Sequence, residues 1–161
     1  MNNEKLYAIN VPIVNDEYSY LVLKLKDNYG FINSVASPNR EEYFKKYKPP
    51  IVSWEKSNFD KKTSDCIPCL GFYMVFSEKA KNLLWPYLKE NGALVEFSLR
   101  DEKFYGYMTW KEFDNLSSHE PGAEFVFNKN KKTHLFVSET VKNIIEEAGL
   151  TGFEFELRTD H

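Results

Sequence analysis

Apolar and polar residues alternate in several short stretches of the chain, as they do in half-buried β-strands. The strands predicted in this way cover residues 6–13, 18–26, 70–76, 103–110 and 123–128. Ser37 and Pro38 favour the start of a helix, because serine caps helices and proline fits their first position. Pro49 ends that helix soon after Tyr47. The N-terminal part, residues 1–63, is therefore predicted to be rich in strands.

The remaining part, residues 64–161, contains an internal repeat. Phe-Ser-Glu and then Lys-Asn-Leu-Leu at 76–84 recur as Val-Ser-Glu and then Lys-Asn-Ile-Ile at 137–145, an offset of 61. Glu-Phe-Ser-Leu-Arg at 96–100 recurs as Glu-Phe-Glu-Leu-Arg at 154–158, an offset of 58. We interpret the two stretches as copies of one unit, a helix followed by a strand.

Both copies have the pattern of an amphipathic helix followed by a half-buried strand. Ser77 and Ser138 are suited to cap the helices at their N-termini, and Gly92 and Gly149 are predicted to end them. Pro86 predicts a kink or a restart in the first helix, because proline has no amide hydrogen to donate. The side chains predicted to face the core include Leu83, Leu84, Phe97, Ile144, Ile145, Phe155 and Leu157.

Together these elements predict an α+β fold with a mixed, largely antiparallel sheet, a few helices and the duplicated helix-strand unit. A length of 161 residues, 42% of them hydrophobic, suits a single α+β domain over residues 1–161. No apolar run approaches the roughly 18 residues that span a membrane, so we expect a cytoplasmic protein. Two cysteines are too few for a framework of disulfides.

Charge is distributed unevenly along the chain. Before Gly92 there are 13 Lys and Arg against 11 Asp and Glu, and from Gly92 onward there are 8 against 13, so the two parts carry +2 and −5. An acidic half disfavours a nucleic-acid ligand, whose phosphates would be repelled. It favours a basic protein as the partner.

Within the acidic half, residues 101–124 place carboxylates around aromatic side chains. Aromatic anchors inside a charged rim are typical of protein-binding surfaces. The alternative is an ordinary acidic surface above core aromatics. The residues predicted to bind a partner are Asp101, Glu102, Trp110, Glu112, Phe113, Asp114 and Glu120.

A Cys-Ile-Pro-Cys motif places Cys66 and Cys69 at the spacing of a redox dithiol or of half a zinc site. A redox dithiol needs its first cysteine at a helix N-terminus, whereas a strand is predicted to follow here. Neither His119 nor His134 has the paired spacing of zinc ligands. We therefore predict no catalytic residue, no metal and no cofactor, and we expect both cysteines to be dispensable.

Several short motifs between residues 64 and 157 resemble those of a known family. They are Ser-Asp at 64–65, Val-Phe-Ser-Glu at 75–78, Glu-Phe at 96–97, Tyr-Gly-Tyr at 105–107, Trp-Lys-Glu-Phe-Asp at 110–114, Leu-Phe-Val-Ser-Glu at 135–139 and Gly-Leu-Thr-Gly-Phe-Glu-Phe at 149–155. In this order they are similar to the bacterial immunity proteins of polymorphic toxin systems, in the group called immunity-protein family eleven.

The resemblance implies a protein that stays in the cell, binds a cognate toxin and neutralises it without catalysis. It transfers no binding residue to this chain, because toxin-binding residues differ from one toxin pair to the next. The cysteine pair at Cys66 and Cys69 departs from what we expect of the family. Two alternatives therefore stay open, a small thiol-dependent redox enzyme and an accessory module that binds another ligand.

Overall fold

A computed structural model describes the parts of the chain in which the repeat and its surroundings lie. The described residues are 5–10, 21–23, 54–56, 62–67, 69–70, 74–99, 101–109, 112–113, 125–128 and 135–158. The helix predicted at residues 37–47 lies outside them.

The described residues form twelve strands and two helices. The strands are β1 (Leu6–Asn10), β2 (Leu21–Leu23), β3 (Trp54–Lys56), β4 (Cys66–Ile67), β5 (Cys69–Leu70), β6 (Met74–Phe76), β7 (Gly92–Leu99), β8 (Glu102–Thr109), β9 (Glu112–Phe113), β10 (Phe125–Asn128), β11 (Leu135–Ser138) and β12 (Glu154–Leu157). The helices are α1 (Glu78–Leu88) and α2 (Glu139–Glu147). Each predicted strand region overlaps at least one of these strands, and the region at 70–76 overlaps both β5 and β6.

The strands assemble into three sheets within the described part of the chain. Their orders are β12-β1-β11-β10-β9, β4-β6-β8-β7 and β3-β2-β5. Neighbouring strands are antiparallel except in the pairs β9–β10 and β2–β5, which are parallel. The predicted α+β class, with a mixed and largely antiparallel arrangement, is confirmed.

The duplicated unit is larger than the sequence indicates. In each copy a strand leads into a helix, and the strand after the helix runs parallel to the first with one antiparallel strand between them. The order is β6-β8-β7 around α1 and β11-β1-β12 around α2, flanked by β4 and β10 respectively. Each copy is thus a split β-α-β unit. β1, from the predicted N-terminal part, supplies the central strand of the second copy.

The strand pairing corrects the predicted alignment of the repeat. Leu94 of β7 pairs with Tyr107 on the central strand of the first copy, and Phe155 of β12 pairs with Ile9 on the central strand of the second copy. These two pairs occupy equivalent places. β7 and β12 therefore align at an offset of 61, the same offset as the helices. The predicted offset of 58 would equate Phe97 with Phe155. Phe97, however, lies on the face of its sheet away from α1, whereas Phe155 lies on the side of α2. An odd shift along a strand moves every side chain to the opposite face, so the two Glu-Phe motifs are not structural equivalents.

A lysine–tyrosine contact recurs at the offset of 61 and supports that alignment. Lys81 Nζ lies 4.8 Å from the ring centroid of Tyr105, and Lys142 Nζ lies 5.2 Å from that of Tyr7. Both tyrosines stand on the central strand of their copy. Each contact is a cation–π interaction, which contributes about 0.5–1 kcal/mol at a partly exposed site.

Both helices begin as predicted. The Oγ of Ser77 accepts a hydrogen bond from the amide of Ala80 at 3.2 Å, and the Oγ of Ser138 accepts one from Val141 at 3.3 Å. Each bond satisfies an amide that would otherwise have no partner in the first helical turn. The shared helix start is therefore a structural feature of the repeat.

The two helices end differently. Gly149 has a φ of +62°, and the amide of Leu150 donates to the carbonyl of Ile145 at 3.1 Å, which is the Schellman arrangement. The predicted stop at Gly92 is wrong, because Gly92 is the first residue of β7. α1 also continues through Pro86 without a restart and ends at Leu88, two residues later.

One cluster of buried side chains joins α1, α2 and the two larger sheets. Of the predicted core positions Leu84, Phe97 and Ile145 are buried, whereas Leu83, Ile144 and Phe155 are half-buried. Leu157 was predicted to face the core but is 45% exposed. It lies on β12, at the edge of the five-stranded sheet, where no described strand covers its outer side.

The two adjacent isoleucines of α2 provide a test of this packing. Ile145 is 1% exposed, so Ile145→Ala should lower the free energy of unfolding by about 2–5 kcal/mol, as cavity formation in a packed core does. Ile144→Ala should cost clearly less, because the Ile144 side chain already contacts water. Urea unfolding of both variants measures the difference. Equal losses would contradict the orientation of α2.

Candidate protein-binding surface

Two of the seven predicted partner-binding residues lie at the tip of the β7–β8 hairpin. Leu99 pairs with Glu102, so the strands are joined by a connection of two residues. The side chains of Asp101 and Glu102 are both exposed there. Pairing extends along the whole length of the hairpin, from Leu99 back to Gly92. The two carboxylates are thus held on a well-supported turn, and we call them the hairpin patch.

Asp101 also has a conformational role. Its φ is +66°, in the left-handed region that glycine, asparagine and aspartate adopt more readily than other residues. Tight hairpin connections require such residues. The presence of an aspartate at this position is therefore explained in part by the turn itself, independently of any partner.

The other five predicted residues lie along the chain beyond β8. Glu112 and Phe113 form β9, which pairs in parallel with β10 at the edge of the five-stranded sheet. Trp110, Asp114 and Glu120 lie outside the described residues. We call residues 112–114 the β9 patch.

Glu102 of the hairpin patch lies apart from Glu112 of the β9 patch. Glu102 and Thr109 are the two ends of β8, and seven steps of a strand span about 24 Å. The three residues from Thr109 to Glu112 can bring the chain back by at most about 11 Å. Glu102 and Glu112 are therefore at least about 13 Å apart, and the predicted site consists of two parts.

Charge at the hairpin is less negative than the count of carboxylates indicates. Lys103 Nζ lies 3.1 Å from Oε1 of Glu96 on the neighbouring strand, and both side chains are more than half exposed. The hydrogen bond from Lys103 to Glu96, together with the charge of that carboxylate, raises the pKa of the lysine. Three acids and two bases in residues 96–103 give this stretch a formal charge of −1.

Cys66, the first cysteine of the Cys-Ile-Pro-Cys motif, is fully buried in β4. Burial, followed by the neighbouring carboxylate of Asp65, raises the pKa of the Cys66 thiol. A thiol in this state is poorly suited to nucleophilic attack, which requires the thiolate. Cys69 lies in β5, and in the described residues no three His, Cys, Asp or Glu side chains are grouped as metal ligands.

The Asp65 carboxylate connects the two copies of the repeat. It accepts a hydrogen bond of 2.8 Å from the hydroxyl of Ser77, the N-cap of α1. It also accepts bonds of 3.0 and 3.2 Å from the amide and hydroxyl of Thr151, in the loop that follows α2. The amide of Cys66 donates to the carbonyl of Thr151 at 2.9 Å. We call Asp65, Ser77 and Thr151 the Asp65 junction.

Electrostatics favour the ionised form of Asp65 in this junction. Partial burial by itself would raise the pKa of the carboxyl, but hydrogen bonds from Thr151 and Ser77 and the charge of Lys79 outweigh it. The pKa of Asp65 is consequently held below its usual value. The junction is therefore stronger when the carboxylate is charged.

Gly152 allows the loop after α2 to approach β4. Its φ is +85°, and a Cβ at this position would overlap the carbonyl oxygen of Cys66 and lie 2.8 Å from Cβ and Oγ of Ser64. Ser64 itself donates a hydrogen bond of 2.6 Å to that carbonyl. Glycine is thus required here both for its backbone conformation and for the close contact.

Comparison with known proteins assigns the chain to no family. It matches no protein-family model, and no curated protein is significantly similar to it. None of the helices in the described parts of the chain is long and apolar enough to cross a membrane. The resemblance to immunity proteins is therefore a hypothesis that rests on the short motifs quoted above.

The two glycines of the loop after α2 form a matched pair for testing the close contact. Gly149→Ala should cost about 1–2 kcal/mol, because its Cβ would meet open space and only the left-handed backbone is penalised. Gly152→Ala should cost clearly more, because the new Cβ would collide with the Cys66 backbone. Thermal or urea unfolding measures both losses. A Gly152→Ala variant as stable as Gly149→Ala would show that the loop does not pack on β4.

The depressed pKa of Asp65 predicts a pH-dependent contribution to stability. Asp65→Asn should lower the free energy of unfolding by about 1–3 kcal/mol near neutral pH, because bonds to a charged acceptor are weakened. The stability advantage of wild type over Asp65→Asn should be complete at pH values above the pKa of the unfolded carboxyl, about 3.9. It should disappear as the pH falls through the lower pKa of the folded protein.

Urea midpoints of wild type and Asp65→Asn between pH 2 and 7 would follow this difference. Asp101→Asn, which removes an exposed carboxylate outside the junction, is the control and should show little difference. A gap between wild type and Asp65→Asn that stays constant down to the lowest pH would contradict the role of the charge.

Proposed function

We propose that this protein binds a cognate bacterial toxin domain and neutralises it without catalysis. The observation that carries the proposal is the hairpin patch, where Asp101 and Glu102 project from a fully paired two-stranded support. Preformed surfaces bind with a smaller entropic loss than surfaces that must be ordered on binding. The motifs that resemble immunity proteins support the same function.

A basic toxin domain is the partner that the charge favours. From Gly92 onward the chain carries a net charge of −5. A toxin that acts on nucleic acids or nucleotides needs a positive cleft, and an acidic surface both speeds the encounter with it and imitates its anionic substrate. In this mechanism the immunity protein blocks the toxin by occupying its active site or its substrate-binding surface.

The thiol-enzyme alternative has less support than the binding function. A thiol-dependent mechanism at this motif would need a reactive thiolate, and burial of Cys66 disfavours that form. The accessory binding module shares the surface-binding character of the proposal and differs only in its partner. Identification of the partner therefore separates these functions.

Charge reversal of each patch in turn tests where the toxin binds. Glu102→Lys combined with Asp101→Asn alters the hairpin patch while keeping a residue that tolerates the left-handed turn. Glu112→Lys combined with Asp114→Lys alters the β9 patch. The patch that contacts a basic toxin should lose association rate by about tenfold at low salt, with a smaller loss at high salt. Stopped-flow mixing with a toxin recovered by pull-down from the native strain measures these rates.

Glu147→Lys serves as the control, since Glu147 is an exposed acid at the end of α2 outside both patches. It should change the rate much less. If neither patch alters the rate, the acidic segment is not the binding face. If the pull-down recovers no toxin, or if co-expression of this protein with the recovered toxin does not protect the cells, the immunity function itself is wrong.

A further inference from the structure

Among the described strands β12 lies at a sheet edge, and none of them pairs with its outer side. The amide of Arg158 donates to the carbonyl of Leu6 at 3.0 Å. Two residues along each strand, Ala8 lies opposite Glu156. In an antiparallel ladder alternate residues bond to the neighbouring strand, so Phe155 and Leu157 direct their amide and carbonyl groups away from β1. No strand of the described residues pairs with these groups. Such an edge can accept one further strand.

The duplicated unit provides an internal comparison for this edge. β7 holds the same place in the first copy, and Glu96 is the equivalent of Leu157 at the offset of 61. Glu96 is charged and pairs with Lys103 at 3.1 Å, which is how natural edge strands resist association. Leu157 is apolar instead, and it is 45% exposed. Among the described residues it is the exposed large hydrophobic side chain. The two copies have therefore diverged at this position, although β12 also carries an ion pair, between Arg158 and Glu156 at 3.7 Å.

The charges of β12 give little support to pairing with a second copy of the same strand. Glu154 and Glu156 are exposed on the face opposite Phe155 and Leu157. In one antiparallel register Glu154 faces Glu156 of the other copy, and in the next Glu156 faces itself while Glu154 faces Arg158. Like charges directly opposite each other destabilise a strand pair. A strand with lysine or arginine at these positions would gain attraction instead.

We propose that the edge of β12 binds an extended, basic segment of a partner protein by strand addition. The segment pairs with the backbone of Phe155 and Leu157, places an apolar side chain against Leu157, and places basic side chains beside Glu154 and Glu156. This surface is separate from the acidic patches and does not require that the partner be a toxin.

The test uses isotope-labelled full-length protein and two synthetic ten-residue peptides, one alternating lysine and valine and the other alternating glutamate and valine. NMR titration follows the backbone amides, and hydrogen exchange reports their protection. The lysine peptide should shift and protect the amides of Phe155 and Leu157 and leave those of β7 unchanged, whereas the glutamate peptide should bind far more weakly.

Variants of β12 make the test specific. Leu157→Pro removes an outward amide that β1 does not use, so it should abolish peptide binding while the β1–β12 ladder is kept. Leu157→Thr keeps that amide and favours a strand, and it should weaken binding by about tenfold through lost apolar contact. Glu154→Lys with Glu156→Lys should reverse the preference to the glutamate peptide.

Three kinds of result would overturn the proposal. The first is the absence of any shift at Phe155 and Leu157 up to millimolar lysine peptide in wild type. The second is equal protection of β7 by the peptide, or unchanged binding by a folded Leu157→Thr variant. The third is self-association of the free protein that Leu157→Thr abolishes, because the occupant of the edge would then be a second copy of the chain.

Discussion

The Asp65 carboxylate is the contact on which the arrangement of the two copies depends. Each copy has its own helix and its own sheet, and the copies must still be fixed relative to each other. Asp65 does this by accepting bonds from the helix start of the first copy at Ser77 and from the loop of the second at Thr151. Gly152 makes the approach sterically possible, since a larger residue would strike the backbone of β4. A buried cluster that includes side chains from both helices also joins the two copies.

Duplication accounts for features that would otherwise have no evident connection. The split β-α-β order, the serine caps and the lysine–tyrosine contacts recur in both copies. They recur because each copy must cap the first turn of its helix and pack that helix on its sheet. Features that face solvent at the sheet edges do not recur. Glu96 and Leu157 occupy equivalent places and are both exposed, but they differ in charge and in ion pairing. Internal packing constrains a position in both copies, whereas a free edge leaves each copy able to acquire its own function.

Local patterns in the sequence were enough to predict most of the longer strands, the capped helices and the α+β class, because each depends on residues close together in the chain. The short strands β3, β4 and β9, and β11, were not predicted. The alignment of the repeated strands was wrong because two similar motifs, at 96–100 and 154–158, suggested an offset that the ladder does not use. β1 could not be assigned to the second copy from sequence, since its pairing with β11 and β12 joins residues more than a hundred positions apart. The split of the predicted binding segment into two patches was missed for a related reason. Closeness in sequence does not bring Glu102 near Glu112 when a whole strand separates them.

Several of the motifs behind the family resemblance have assignable structural roles. Ser64 and Asp65 hold the junction, Ser77 and Ser138 start helices, and the residues from Gly149 to Gly152 end α2 and dock its loop on β4. Structural roles of this kind specify how the chain folds and do not identify the partner. Residues that recognise a partner must instead lie where packing imposes few demands. The hairpin tip and the edge of β12 satisfy that condition, because their exposed side chains can change without disturbing the junction or the core.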